Sequence, residues 1–254
     1  MSHIPADPPT PGFPPPPGHP HSDGFPPTGG PALRPTWGLA TALTALLCLV
    51  IATDVLALGA DLTMRTVLDN LATTTEQQAD RADMLYGVAA VLQGTMLIPT
   101  AVVFIIWFHR SRVNAEHYTR DVCTLGSGWA IGSWFIPIGN LWLPFRVARE
   151  TWQSSAQSAP DGSWREVSTT WVRAWWLLWV LTLVIGRIGN TLYDRADLPD
   201  TLRLAVSVVA LSDLLDLAAA ALAILFVRKL SRMQQVPAAP YAVAPTGPAP
   251  YGSA

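Results

Sequence analysis

Four long apolar stretches dominate the chain, at about 37–58, 84–108, 171–190 and 204–227. Each reaches the roughly 20 residues that a helix needs to cross about 30 Å of hydrocarbon. A segment inside a bilayer must satisfy its own backbone hydrogen bonds, so length and apolarity together predict four transmembrane helices. Pro99 falls inside the second and predicts a kink there. A fifth apolar stretch, 128–145, is nearly long enough to cross, but it contains Pro137, Gly139-Asn140 and Pro144 and has arginines on both flanks. It reads as a helical hairpin over about 128–157, re-entrant or interfacial, that leaves the membrane on the side it entered and docks on the bundle.

Polar, proline-rich sequence lies outside these stretches. Residues 1–35 hold thirteen prolines, and 236–254 are rich in proline and alanine, with Tyr241 and Tyr251 each in an Ala-Pro-Tyr context. Such segments bury too little apolar area to offset their ordering entropy, so both are expected to be disordered tails with extended polyproline character. The fold expectation is therefore an all-α membrane protein. Its transmembrane domain spans 36–235, with four spanning helices, the hairpin and two disordered Pro-rich tails.

Charge adds orientation. Only 13% of residues are charged, against about a quarter in soluble proteins. Lysine occurs once, at Lys229, and the other fifteen basic residues are arginine, a usage typical of GC-rich bacterial genomes. The loop over 59–83 carries Asp61, Asp69, Glu76, Asp80 and Asp83 against Arg65 and Arg81, and the loop near 191–203 carries Asp194, Asp197 and Asp200. The segment 109–173 instead holds Arg110, Arg112, Arg120, Arg146, Arg149, Arg165 and Arg173, and Arg228, Lys229 and Arg232 follow the last stretch. Positive residues stay inside, so the 109–173 segment and both tails are expected in the cytoplasm. The first stretch differs from a secretory signal, because 36 proline-rich residues precede it and Asp54 interrupts it.

The central motif is distinctive. Val103-Phe104-Ile105-Ile106-Trp107-Phe108-His109-Arg110 leads to Trp129-Ala130-Ile131-Gly132-Ser133-Trp134-Phe135-Ile136-Pro137-Ile138-Gly139-Asn140-Leu141-Trp142-Leu143-Pro144-Phe145, then to Arg149, Glu150 and Trp152, and later to Trp175-Trp176-Leu177-Leu178-Trp179. This order resembles the domain-of-unknown-function 4328 family, multi-pass membrane proteins of high-GC bacteria, over roughly residues 40–235. The resemblance implies a multi-helix membrane fold with a central hairpin. It implies no activity.

Few residues carry candidate chemistry. Asp54, Arg187, Asp213 and Asp216 place charge inside the predicted helices. Intramembrane charges face the bundle and find partners, so one reading is an Arg187–Asp213 ion pair that fixes helix register. The other is a relay or substrate site. In the hairpin, Trp134, Phe135, Pro137, Asn140, Pro144, Arg149 and Trp152 form either a gate or cleft, with Asn140 capping broken helix ends, or an interfacial structure anchored by Trp129, Trp134 and Trp142. The segment 145–157, with Arg146, Arg149 and Glu150 beside Val147 and Trp152, suits a helix lying on an anionic inner leaflet. Trp171, Trp175 and Trp179 recur every four residues and suit an aromatic belt. Gly186 and Gly189 suit close helix packing. Cys48 and Cys123 lie at different depths, so no disulfide is expected.

No metal-ligand spacing, nucleophile motif or phosphate loop occurs in the sequence. No cofactor, no catalytic residue and no nucleic-acid partner is expected, and the bilayer is the partner expected first. The expected function is a non-enzymatic scaffold or regulator that recruits cytoplasmic proteins through its tails. The alternative is a small transporter or channel-like protein built on the intramembrane Arg and Asp residues. A homo-oligomer is compatible with either.

Overall fold

A computed structural model describes residues 33–118, 122–156 and 167–235. The tails proposed for 1–35 and 236–254 lie outside these residues, apart from Leu33–Pro35. The described chain is all-helical: α1 (Trp37–Asp69), α2 (Glu76–Tyr118), α3 (Trp129–Gly132), a 3-10 turn (Gly139–Leu141), α4 (Leu143–Ser154), α5 (Thr170–Asp194) and α6 (Pro199–Met233). Four of these, α1, α2, α5 and α6, are long and apolar enough to cross a membrane. Their large apolar side chains point outward as well as inward, with Leu97 65% and Ile98 67% exposed, as a lipid-facing surface requires.

The helices outrun the apolar stretches that predicted them. At 1.5 Å per residue, α1 is about 50 Å long and α2 about 65 Å, because polar flanking turns continue the helix until a local signal ends it. Before α2, Thr75 and Gln78 form a reciprocal capping box: the Thr75 N–H donates to Gln78 Oε1 at 2.9 Å, and the Gln78 N–H to Thr75 Oγ1 at 3.3 Å. Pro199 opens α6, where its missing N–H costs no helical bond. Pro99 lies within α2 without ending it.

The helices pack in the order α2–α1–α6–α5. By backbone proximity α2 lies along α1 and α5 along α6, while α2 and α5 meet through side chains near their ends, Phe104 on Trp175 and Tyr86 on Tyr193. Gly186 and Gly189 bring α5 onto α6 as expected. A methyl group on Gly189 would stand 2.9 Å from Val209 Cγ2 and 3.1 Å from the Val209 backbone nitrogen.

The hairpin caps the end of the bundle where α1 begins and α6 finishes, here called the tail end. Ala130, Val147 and Trp152 are buried in one core with Trp107, Phe108, Trp175, Trp176 and Phe226. The irregular backbone between α3 and α4 turns tightly at Pro137-Ile138-Gly139, where the Gly139 N–H donates to the Pro137 carbonyl at 2.6 Å. This forces Ile138 to φ 63°, a rare conformation for a β-branched residue. At the opposite, far end, Arg203 pairs with Asp69 at 3.1 Å and with Asp200, and Tyr86 stacks on Tyr193 with ring centres 5.1 Å apart.

Candidate functional site

Between their two side-chain contacts the backbones of α2 and α5 stand apart, and a cavity of about 490 Å³ opens there, floored by α1 and α6. Its tail-side wall is apolar, with Leu47, Leu97, Trp175, Trp179 and Ala223. Its other wall carries Asp54, Gln93, Arg187, Asn190, Asp213 and Asp216. All four residues expected from sequence to form an intramembrane charge cluster thus line one space.

Their pairing differs from expectation. Arg187 is exposed and makes no ion pair among the described residues, so the Arg187–Asp213 bridge is not formed. Instead Gln93 occupies the place expected for arginine. Its side-chain amide donates to Asp54 Oδ1 at 3.0 Å and to Asp213 Oδ1 at 3.2 Å, one hydrogen to each carboxylate. Asp54 is 1% exposed, and its Oδ2 has no hydrogen-bond partner. A neutral amide satisfies geometry but cannot balance charge, so the cluster holds more carboxylates than neighbouring cations.

Asp61 joins the cluster unexpectedly. Its place in a polar, acidic segment suggested an outer loop, but α1 continues through it. Asp61 lies two turns from Asp54 on the same helix face, about 10 Å along the axis. It is 2% exposed, and its Oδ2 is also unpartnered. It shares a second cavity of about 120 Å³ with Tyr86, Gln93, Asn190, Ser212 and Asp213. Seven-residue spacing of two aspartates was the available signal.

At the tail end, a second polar cluster is built on a buried ion pair. Arg112, wholly buried, donates to Glu150 Oε2 at 2.8 Å and to the Leu125 carbonyl. Glu150 also accepts from Thr124 Oγ1, from Arg146 Nε at 3.3 Å and from the Leu125 N–H at 3.4 Å. Burial alone would raise the Glu150 carboxyl, but the Thr124 and Arg112 hydrogen bonds and the Arg112 charge outweigh it and hold the group below its ordinary range. Burial pushes the Cys123 thiol up, beside Ser154 Oγ at 3.2 Å. Cys48 and Cys123 are both free.

The hairpin residues divide. Phe135, 72% exposed, Pro137 and Trp142 point outward, as does Arg149, while Pro144 is buried. Trp134 is no interfacial anchor, because its ring meets Phe104, Trp176 and Trp179 edge-on at 5.4–5.9 Å. Trp152 is wholly buried and stacks on Phe226 at 5.9 Å, so α4 is a core element and not a helix lying on the leaflet. Asn140 caps nothing, and its Oδ1 is buried without a partner. Trp175 and Trp179 likewise face the aromatic core, and of the expected belt only Trp171 points outward.

A family model described as a domain of unknown function, DUF4328, matches residues 70–232. The chain belongs to the DUF4328 family. No curated protein and no solved structure matches it. In this DUF4328 protein the matched residues include Gln93, Arg187, Asp213, Asp216, the whole hairpin and the Arg112–Glu150 pair. They begin after α1, so Asp54 and Asp61 lie outside the match.

Proposed function

We propose that this protein is a small, non-catalytic transporter of the bacterial cell membrane that binds an organic cation in the cavity between α2 and α5. The observation that carries this reading is Asp54: a carboxylate 1% exposed, deep in a helix of membrane-spanning length, with one oxygen unpartnered and no cation paired to it. A charge at that depth is costly unless it holds a proton or meets a cation. The cavity offers both halves of an amphipathic cation's requirements. Asp54, Asp213 and Asp216 face its charge, and the Trp175 and Trp179 rings face its apolar body. The opening between α2 and α5 admits a ligand dissolved in the bilayer.

The test uses tetraphenylphosphonium, a permanently charged aromatic cation, with the purified full-length protein. Binding is followed by tryptophan fluorescence and flux in proteoliposomes under a pH gradient. Asp54→Asn is expected to weaken binding about tenfold or more, the loss of roughly one charge interaction worth 1.4 kcal/mol. Equal binding and flux by wild type, Asp54→Asn and protein-free liposomes would remove the reading.

We infer that the tail end faces the cytoplasm. Arg110, Arg146, Arg149, Arg173, Arg228, Lys229 and Arg232 gather there, whereas Arg203 at the far end is held between Asp69 and Asp200. Labelling Leu198→Cys from outside the cell with an impermeant maleimide tests this. Protection from the reagent would reverse the topology.

Recruitment through the tails is the second reading, and one feature favours it. Asn114 brackets the Arg34 backbone, accepting from its N–H and donating to its carbonyl at 2.8 Å each, and also donates to Gln234 Oε1 at 3.4 Å. Both chain ends therefore leave the bundle from one point. Cross-linked capture from native membranes, with and without residues 1–33 and 237–254, tests it: a partner lost with the tails supports recruitment, and none captured by either form counts against it.

A further inference from the structure

The two cavities have different walls but share one boundary. Gln93, Gly186, Asn190, Ser212 and Asp213 belong to both. On one side lies the larger, laterally open space with Asp54. On the other lies the small space with Asp61, too narrow for an organic ligand and large enough for about four water molecules at roughly 30 Å³ each. Gln93 stands between them with one amide hydrogen on Asp54 and the other on Asp213.

We infer that Asp61 and Asp213 hold a single exchangeable proton in the small cavity, and that this is the coupling-ion site of the transporter proposed above. The coupling role rests on that proposal, while the shared proton stands on the geometry alone. Two carboxylates in one buried space cannot both carry charge without a cation between them. The groups around Asp61 supply none. On its own helix, Arg65, one turn on, is engaged with Asp69 and Ser207, and Asp54 is two turns back. From α2 comes Tyr86, from α6 Asp213, and from α5 Asn190, with Tyr193 stacked outside on Tyr86. Arg187 lines the other cavity and does not line this one. The buried Oδ2 of Asp61, with no hydrogen-bond partner of its own, is the acceptor such a proton would meet on leaving Asp213. Gln93 is the positioning residue that passes its state onward. When Asp213 gives up its proton to Asp61 or to water, its charge draws on the amide that also serves Asp54.

Infrared spectra of the reconstituted full-length protein test the site directly. At neutral pH a carbonyl stretch from a protonated carboxyl is expected, and it should disappear on raising the pH. Because Asp54 can contribute a carbonyl stretch of its own, the spectra are taken in an Asp54→Asn background, where the band should remain. Adding Asp61→Asn or Asp213→Asn should each remove it, since sharing needs both partners. A band unchanged on adding Asp61→Asn overturns the inference. In parallel, tetraphenylphosphonium binding is measured against pH. Asp61→Asn should keep its affinity within about twofold at high pH while losing the wild type's tenfold change per pH unit. Gln93→Leu should flatten the same slope with the infrared band intact. A wild type that shows the band but binds no tetraphenylphosphonium would sink the transport proposal and leave the shared proton standing. Binding with an unchanged slope in Asp61→Asn would do the reverse.

Discussion

Glu150→Leu is the most informative single change outside the cavity. In the folded protein the Glu150 carboxylate is the counter-charge of Arg112, whose side chain is wholly enclosed by α2, α4 and the 122–125 segment. Removing it leaves Arg112 with the Leu125 carbonyl, a 3.4 Å bond to Thr151 and Glu116 at 3.6 Å. Stranding a buried cation in this way costs about 3–5 kcal/mol. At about 2–4 °C per kcal/mol for a domain of this size, Tm should fall by about 6–20 °C. Replacing both partners, Arg112→Met with Glu150→Leu, removes the stranded charge and should recover most of the loss. The assay is thermal unfolding of the four proteins of this double-mutant cycle in one detergent. If Glu150→Leu and the double variant melt together, Arg112 is not the source of the cost and the reasoning fails. Acid provides an independent check. The Glu150 carboxyl is held below its ordinary value of 4.5 in the fold, so its stabilisation is full above that value. It is lost as pH falls through the lower, folded value. Wild type should therefore lose stability below about pH 4.5 more steeply than Glu150→Gln.

Four further outcomes follow from the packing. Gly189→Ala should cost about 1–3 kcal/mol, read from thermal unfolding, because its methyl meets Val209 backbone that cannot move aside. Gly186→Ala should cost less, since its nearest neighbour, Ser212 Oγ at 3.0 Å, can rotate. Trp152→Ala should cost about 3–5 kcal/mol by emptying a wholly buried site against Phe226, and a shift near zero would return α4 to the membrane surface. Arg187→Leu should melt within about 0.5 kcal/mol of wild type, because the side chain is exposed and unpaired, and a large loss would restore the ion pair expected from sequence.

The spanning helices were legible because membrane insertion depends on length and apolarity, which are properties of the local sequence. Helix ends were less so. Asp61 and Asp69 read as loop because they are charged, yet helix continues through them, and Arg65 and Arg203 neutralise Asp69. Gly186 and Gly189 were legible as packing sites, since a missing side chain implies a close neighbour whatever that neighbour is. Arg187 with Asp213 was not, because pairing by charge sign ignores direction. α5 presents Gly186 and Gly189 to α6, so Arg187 is turned away from that contact and leaves Asp213 to an uncharged glutamine on a third helix. Trp134, Trp152 and Trp175 misled for the opposite reason. In a membrane protein tryptophan suits both interface and core, and only the fold separates Trp142, 54% exposed, from Trp152, wholly buried.

The same comparison explains why the two polar clusters differ in kind. At the tail end the wholly buried Arg112 has a counter-charge. Arg112 meets Glu150, Asn114 and Gln234 saturate the chain ends, and Trp107 Nε1 reaches Ser231 Oγ at 3.0 Å. Ten aromatic rings, from Phe104 to Phe226, pack through that region. Beyond the rings the buried carboxylates Asp54 and Asp61 are paired with no cation among the described residues, and each keeps an oxygen unpartnered. A bundle built only for stability gains nothing from carboxylates without cations, and apolar residues of similar size would hold the same helices together. α2 and α5 meet at both ends, through Phe104 and Trp175 at the tail end and through Tyr86 and Tyr193 at the far end, and the cavity with Gln93 and Arg187 lies between these two contacts. That is where a ligand of the kind proposed above would meet charge, because Asp54, Asp213 and Asp216 line that space.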